Sequence, residues 1–190
     1  MIDIPKKPRI RLSKSARKRR PKPTFVTTDA IVRVAGPEDE AGLMNLARVL
    51  HSENGLFDLN EARVLQYLRP ALMKLDGIVG VIGPKDNLEA FIMLKVAQYW
   101  YSDEKFLEEM SVFVHPDFRN AKSSRVQKLV AFAKQVAEGT GLPLLIGVLS
   151  NDRTNAKVAL YERQFGAPAG AFFLYGRKTG EHEQHTSTKH

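Results

Sequence analysis

The stretch LEEMSVFVHPDFRNAKSSR, residues 107–125, joins a strand pattern to the start of a helix, and the rest of the chain can be placed around it. Leu107 to Val114 is a short apolar run rich in β-branched and aromatic residues, and Pro116 ends it because proline cannot donate a ladder hydrogen bond. From Ser124 onward the apolar residues recur at helical spacing, at Val126, Leu129, Val130, Ala133, Val136 and Ala137. The stretch therefore predicts a buried strand, a loop and an amphipathic helix.

The loop between these two elements, RNAKSSR at residues 119–125, is dense in basic and small residues. A helix N-terminus presents unpaired backbone N–H groups and a partial positive charge, so this loop suits a phosphate. The alternative is that Ser123 or Ser124 caps the helix and the basic side chains are solvated. The spacing of the residues favours neither interpretation over the other.

Two motifs in this chain resemble those of one superfamily. Residues 112–124, VFVHPDFRNAKSS, resemble motif A of the GNAT superfamily, the Gcn5-related N-acetyltransferases. Residues 155–166, NAKVALYERQFG, resemble its motif B, and the two occur in the expected order. The resemblance covers about Ile31 to Lys178, with Lys122 and Ser124 in place of the two usual glycines of motif A, which restricts the backbone there.

The resemblance implies an α/β (α+β) domain with a mixed, mostly antiparallel central sheet flanked by helices. It implies transfer of an acetyl group from acetyl-coenzyme A to a primary amine of a small molecule or protein. By the same resemblance Tyr161 protonates the departing thiolate, since a phenol with a reference pKa near 10 carries a proton at neutral pH. The fifth strand is expected to splay from the fourth and admit the pantetheine arm. The implied cofactor-binding residues are Val112, Phe113, Val114, Arg119, Asn120, Ala121, Lys122, Ser123, Ser124, Arg125 and Asn155.

Two adjacent carboxylates in the strand are candidates for the proton chemistry. Acetyl transfer needs a neutral amine, and a partly buried carboxylate can accept the proton. Because side chains alternate along a strand, Glu108 and Glu109 point to opposite faces. Glu108 is expected to share a face with Val112 and Val114, and we rank it first and Glu109 second. The alternative for either residue is a surface salt bridge.

The acceptor side is predicted from the N-terminal half of the domain. A strand followed by two helices resembles the start of the superfamily fold, whose helix–helix loop walls the acceptor site. The candidates for acceptor contacts are His51, Glu53, Asn54, Leu56 and Phe57. The aromatic run at residues 99–101 either walls this site or caps the core.

The remaining pattern gives the other elements. The predicted strands are 30–35, 77–82, 88–100, 144–149 and 169–177. A helix begins near Glu38 and is broken at residues 51–55, a second is capped by Asp58 or Asn60 and contains Pro70, and a last one begins within 151–155.

The charge of +8 lies in the N-terminal arm, because residues 1–23 hold ten basic residues against Asp3 alone, a net charge of +9. We assign residues 1–28 to this arm, 29–178 to the domain and 179–190 to a polar tail. The arm either contacts nucleic acid or an acidic partner, or is a solvated tail. A second function class is therefore a catalytically weak GNAT-fold binding module tethered by its arm.

Other features exclude several classes of site and protein. The chain has no cysteine, so it has no disulfide, thiol nucleophile or cysteine-based metal site. The three dispersed histidines of the tail imply no metal site, because they fix no ligand geometry. No apolar run reaches the length of a membrane span, and the sequence predicts a cytoplasmic protein.

Overall fold

The computed structural model describes residues 31–120, 123–148 and 154–173. Within them the strands are β1 (Arg33–Val34), β2 (Gly77–Ile82), β3 (Ala90–Gln98), β4 (Lys105–Val114) and β5 (Leu144–Leu145). The helices are α1 (Glu40–Asn54), α2 (Glu61–Leu72), α3 (Arg125–Thr140) and α4 (Thr154–Phe165). The strands form one sheet in chain order, with antiparallel neighbours except for the parallel pair β4–β5. The predicted mixed, mostly antiparallel sheet flanked by helices is confirmed.

Each face of the sheet is covered by its own apolar cluster. On one face Phe91, Met93 and Phe113 pack with buried leucines of α1 and α2. On the other, Ile92 and Leu94 pack with Leu129 and Ala133 of α3. Gly80 in β2 allows α3 to approach, since a Cβ there would meet the Phe132 ring at 2.6 Å. The predicted period-2 strand and period-3.6 helix patterns both come from these two clusters.

An ion pair with a buried carboxylate lies at the entry to α1. The Asp39 side chain is fully buried and accepts hydrogen bonds from both terminal nitrogens of Arg33, at 2.7 and 2.8 Å, and from the Gly36 backbone at 3.0 Å. The Arg33 hydrogen bond holds the pKa of Asp39 below its ordinary value. Strand β1 is short and pairs with β2 through only two residues. The bidentate ion pair adds a second attachment, because it connects β1 to the turn before α1.

A β-bulge in β4 changes which glutamate shares a face of the strand with Val112. Ser111 pairs with Met93 but Glu109 pairs with Leu94, so Met110 is the extra residue of the bulge. Cross-strand partners share a face, so Glu109 lies on the same face as Val112. The expectation that Glu108 shares this face is wrong. It assumed that side chains alternate regularly from residue 108 to residue 112, whereas the bulge shifts this alternation by one residue.

Several predicted boundaries move. Helix α1 continues through residues 51–54, which were expected to break it, and ends with Gly55 as C-cap. Strand β5 ends at Leu145, and residues 169–173 of the last predicted strand are not in a strand. Pro70 is accommodated inside α2, and Asn60 caps that helix by accepting a hydrogen bond from the Arg63 backbone at 3.0 Å. None of the helices in the described ranges is long and apolar enough to cross a membrane.

Candidate functional site

A cavity opens where β4 and β5 separate. The two strands pair only at Leu107–Leu144 and Glu108–Leu145, whereas β4 continues to Val114. The space between them is a cavity of about 650 Å³, within the usual size range of small-molecule sites. It is lined by residues 108–114 of β4 and by residues 145–148, which begin at the end of β5, with further residues from α1, the β4–α3 loop and α4. The predicted splay of the fifth strand is therefore present.

One end of the cavity lies at the N-terminus of α3. Ser124 precedes the helix, but no side-chain cap hydrogen bond is formed there among the described residues. Helix α2 differs, because the Asn60 side chain caps it. Serine capping, the alternative interpretation of this loop, is thus not seen for Ser124. The first N–H groups of α3 lack that internal acceptor and are suited to an external anion.

The two arginines of the loop already have carboxylate partners. Arg119 donates from Nη2 to Glu53 Oε2 at 2.8 Å and from Nε to the Val114 carbonyl at 2.6 Å. Arg125 donates to Glu89 Oε2 from Nη2 at 2.6 Å and from Nε at 2.8 Å, and both side chains are largely buried. Both guanidinium groups are already engaged by protein acceptors. Phosphate contacts from the described part of this loop would therefore come mainly from backbone N–H groups.

Glu109 lies on the cavity wall in an environment that favours its protonated form. Burial raises the pKa of Glu109 to about 7, and the charge of Glu108 acts in the same direction. A hydrogen bond from the Gly147 backbone and the charge of Lys157 oppose this shift in pKa. A carboxyl group with a pKa near the working pH is suited to accept and release protons.

Tyr161 lies on α4 at the same part of the cavity. Burial raises the pKa of the Tyr161 phenol above its ordinary value, and the Glu109 carboxylate raises it further. Its ring packs edge-on against Phe165, with centroids 5.9 Å apart. The phenol therefore remains protonated at neutral pH and serves as a hydrogen-bond donor. Because the reference pKa of a thiol is about 8.5, full proton transfer from this phenol to a thiolate is uphill.

The structure brings together most, but not all, of the predicted site residues. Of the predicted cofactor-binding set, the cavity is lined by Val112, Phe113, Val114, Arg119, Asn120 and Ser123. Glu108, Glu109 and Tyr161 also line it. Ser124, Arg125 and Asn155 do not line this cavity, and Asn155 is exposed. Ala121 and Lys122 lie outside the described residues.

The predicted acceptor side is only partly next to the cavity. Glu53 and Asn54 line it, whereas His51, Leu56 and Phe57 do not. His51 donates from Nε2 to the Phe57 carbonyl at 2.6 Å. The aromatic run neither caps the core nor lines this cavity, since Tyr99, Trp100 and Tyr101 are 47%, 93% and 68% exposed.

Among the contributors to the cavity that sequence reasoning missed are Gly147, Lys157 and Phe172. Lys157 stands two residues after Asn155 inside motif B, so its position was available as a signal. Gly147 and Phe172 carry no such signal, because their place depends on where the chain leaves β5 and returns after α4. A Cβ at Gly147 would lie 3.6 Å from the Phe172 ring, which shows how closely these segments approach.

Solved structures of acetyltransferases have the same fold. AAC(6')-Iy, in complex with the bisubstrate analog CoA-S-monomethyl-acetylneamine, aligns with a TM-score of 0.59 and 12% identity, over 80% of this chain and 100% of that one. The ribosomal-protein-alanine N-acetyltransferase from Brucella melitensis biovar Abortus 2308 aligns with a TM-score of 0.58 and 13% identity, over 78% and 99%.

A third similar structure is the aminoglycoside acetyltransferase meta-AAC0020 from an uncultured soil metagenomic sample in complex with sisomicin. It has a TM-score of 0.55 and 14% identity, over 80% of this chain and 97% of that one. No family model matches the sequence, and the comparison with curated proteins also finds no match. At these identities the likeness shows the fold, which is the GNAT fold that motifs A and B predicted.

Proposed function

We propose that this protein is an acetyltransferase that transfers the acetyl group of acetyl-coenzyme A to an amine. The observation that carries the proposal is the cleft between β4 and β5, which leads from the uncapped N-terminus of α3 to Glu109 and Tyr161. A helix end suited to an anion and two groups suited to proton transfer, along one cavity, are what such a reaction requires. A similar fold that holds a CoA-containing bisubstrate analog supports the assignment of the donor.

The chain offers complementary groups along this cleft. Residues 112–114 pair with β3 on one side only and face the cavity on the other, so their backbone groups can hydrogen-bond the amides of a pantetheine arm. The N–H groups at the start of α3, together with Ser123 and Ser124, would hold the pyrophosphate. Arg119 and Arg125 would support this loop through their carboxylate partners.

Glu109 is the better candidate for the general base. It shares the strand face of Val112 and has a pKa of about 7, so that near neutral pH it can accept a proton from the attacking ammonium group, directly or through water. Glu108 lies on the opposite face of β4, and its charge helps to raise the pKa of its neighbour. The order of the two candidates is therefore reversed from the one that regular alternation gave.

The chemistry balances with these groups. Glu109 first takes one proton from the ammonium group and releases it to water, which leaves a neutral amine and a carboxylate. The amine then forms a C–N bond to the acyl carbon, the C–S bond breaks, coenzyme A leaves as a thiolate, and the second amine proton passes to Glu109. Tyr161 donates a hydrogen bond to the departing sulfur. General acid–base assistance of this kind typically contributes about 10²- to 10⁴-fold to the rate, and alignment of the amine with the thioester contributes more.

The test is an acetyl-transfer assay that follows thiol release from acetyl-coenzyme A. The amine panel contains spermidine, sisomicin and an alanine-terminated peptide, and the variants are Glu109→Gln and, as a control, Glu104→Gln in the exposed β3–β4 turn. We expect turnover of one panel member by the wild type, and about a 100-fold loss in Glu109→Gln only. A protein that neither binds acetyl-coenzyme A nor releases thiol would refute the proposal.

A further inference from the structure

The last turn of α1 overhangs the cavity, and little apolar packing holds it there. The buried residues of α1 are Leu43, Met44 and Leu46, all in its first half. The last turn, residues 51–54, contributes Glu53 and Asn54 to the cavity lining. Val49 and Leu50, just before this turn, still pack against the core, so polar contacts are what hold residues 51–54 themselves.

Glu53 and Asn54 form hydrogen bonds to two different elements that line the cleft, the β4–α3 loop and α4. Glu53 Oε2 accepts a hydrogen bond of 2.8 Å from Arg119 in the β4–α3 loop. Asn54 Oδ1 accepts one of 3.1 Å from Lys157 Nζ in α4. Arg119 is itself fixed, because its Nε donates to the Val114 carbonyl and its guanidinium carbon lies 4.8 Å from the centre of the Phe113 ring.

Helix α4 also depends on such contacts. It has no buried residue, whereas α3 buries Leu129, Val130 and Ala133. A bond from Lys134 of α3 to the Gln164 carbonyl, at 2.6 Å, holds its C-terminal end. The Asn54–Lys157 bond connects its N-terminal half to α1.

We propose that Glu53 and Asn54 are positioning residues that clasp the last turn of α1 across the cleft and fix the wall against which the acceptor amine is placed. The role in catalysis rests on the proposed acetyltransferase function, whereas the clasp itself is a property of the free protein. Both partners sit in the segments that resemble motifs A and B, so the clasp joins the acceptor wall directly to the segments assigned to the cofactor. Loss of the clasp lets the wall move without removing any proton-transferring group.

The variants are Glu53→Gln, Asn54→Ala and the double variant in the full chain. The matched control is Glu61→Gln, which removes the Arg48–Glu61 pair, an ion pair of similar geometry at 2.7 and 2.8 Å that joins α1 to α2 away from the cavity. Amide hydrogen exchange of residues 49–58 is measured in the free protein. We expect exchange about fivefold faster in the double variant and unchanged in the control, with a melting temperature within about 4 °C of wild type.

The second readout is kinetic, with the panel amine that the wild type acetylates. A displaced wall should raise the KM for the amine about tenfold in Asn54→Ala, because small misplacements are costly. Acetyl-coenzyme A binding should stay unchanged in this variant, since the partner of Asn54 is Lys157 of α4 and not a residue of the loop before α3. Unchanged exchange in the double variant would overturn the clasp, and faster exchange with an unchanged amine KM would overturn its positioning role. Failure of the wild type to bind acetyl-coenzyme A would instead refute the proposed function, while the exchange result would still decide the clasp.

Discussion

Replacing Glu109 by glutamine should make the protein more stable above neutral pH while it removes activity. The ordinary pKa of this carboxyl group, 4.5, rises to about 7 in the fold because of burial. The folded state therefore binds this proton more tightly than the unfolded chain does. The contribution of Glu109 to stability is therefore fully present below pH 4.5 and is lost as the pH rises to about 7, where the buried group must ionise.

The size of the effect follows from the shift. A rise from 4.5 to about 7 corresponds to about 3 kcal/mol of lost stability at high pH. Water in the open cleft screens part of this cost, so we expect about 2 kcal/mol between pH 5 and pH 8. Glutamine has nearly the same shape and does not titrate. The advantage of Glu109→Gln over wild type should therefore grow by that amount over this pH range.

Urea unfolding at pH 5, 6, 7 and 8 measures this difference directly. Glu104→Gln, at an exposed carboxylate in the β3–β4 turn, controls for the loss of one negative charge. Parallel stability curves for wild type and Glu109→Gln across these pH values would show that Glu109 titrates normally. That result would remove the physical basis for assigning it as the general base.

Three further predictions concern other parts of the chain. Tyr161→Phe should leave acetyl-coenzyme A affinity within about twofold but lower kcat about 10- to 100-fold, by steady-state kinetics. Asp39→Asn should cost about 2 kcal/mol in urea unfolding at pH 7, because it breaks the charge-assisted bonds to Arg33; an unchanged midpoint would contradict this. Since the pKa of Asp39 is lowered, its contribution should vanish as the pH falls below its ordinary value of 3.8. Removing residues 1–23 should abolish a salt-dependent affinity for single-stranded RNA, measured by fluorescence anisotropy, and leave acetyl-coenzyme A binding unchanged.

Much of the fold could be predicted because its hydrophobic periods are regular. Strand β2 was predicted with the bounds that the structure has, and the apolar positions 129, 130 and 133 of α3 are buried as expected. The end of α1 was misjudged because its last turn is held by polar contacts with residues 119 and 157, far away in sequence. Local propensity contains no information about such partners.

The candidate site shows the same division. The loop before α3 and Tyr161 could be located from motifs, because these carry local signals. The choice between Glu108 and Glu109 could not, since it depends on the bulge at Met110, which appears only when β4 is paired with β3. The sequence gives no partner for the side chains of Arg119 and Arg125. In the folded chain they form ion pairs with Glu53 and Glu89, respectively.

The most direct test of the account is isothermal titration of acetyl-coenzyme A into wild type, Ser123→Glu and Gln135→Glu. Ser123 lines the cavity at the start of α3, and Gln135 is exposed on the same helix, so both variants add one negative charge to α3 or to the loop that enters it. The account predicts one site with micromolar affinity in wild type and Gln135→Glu, and loss of at least about tenfold in Ser123→Glu, where a carboxylate would repel the pyrophosphate. No binding to wild type, or equal binding to all three proteins, would contradict the proposed cofactor site.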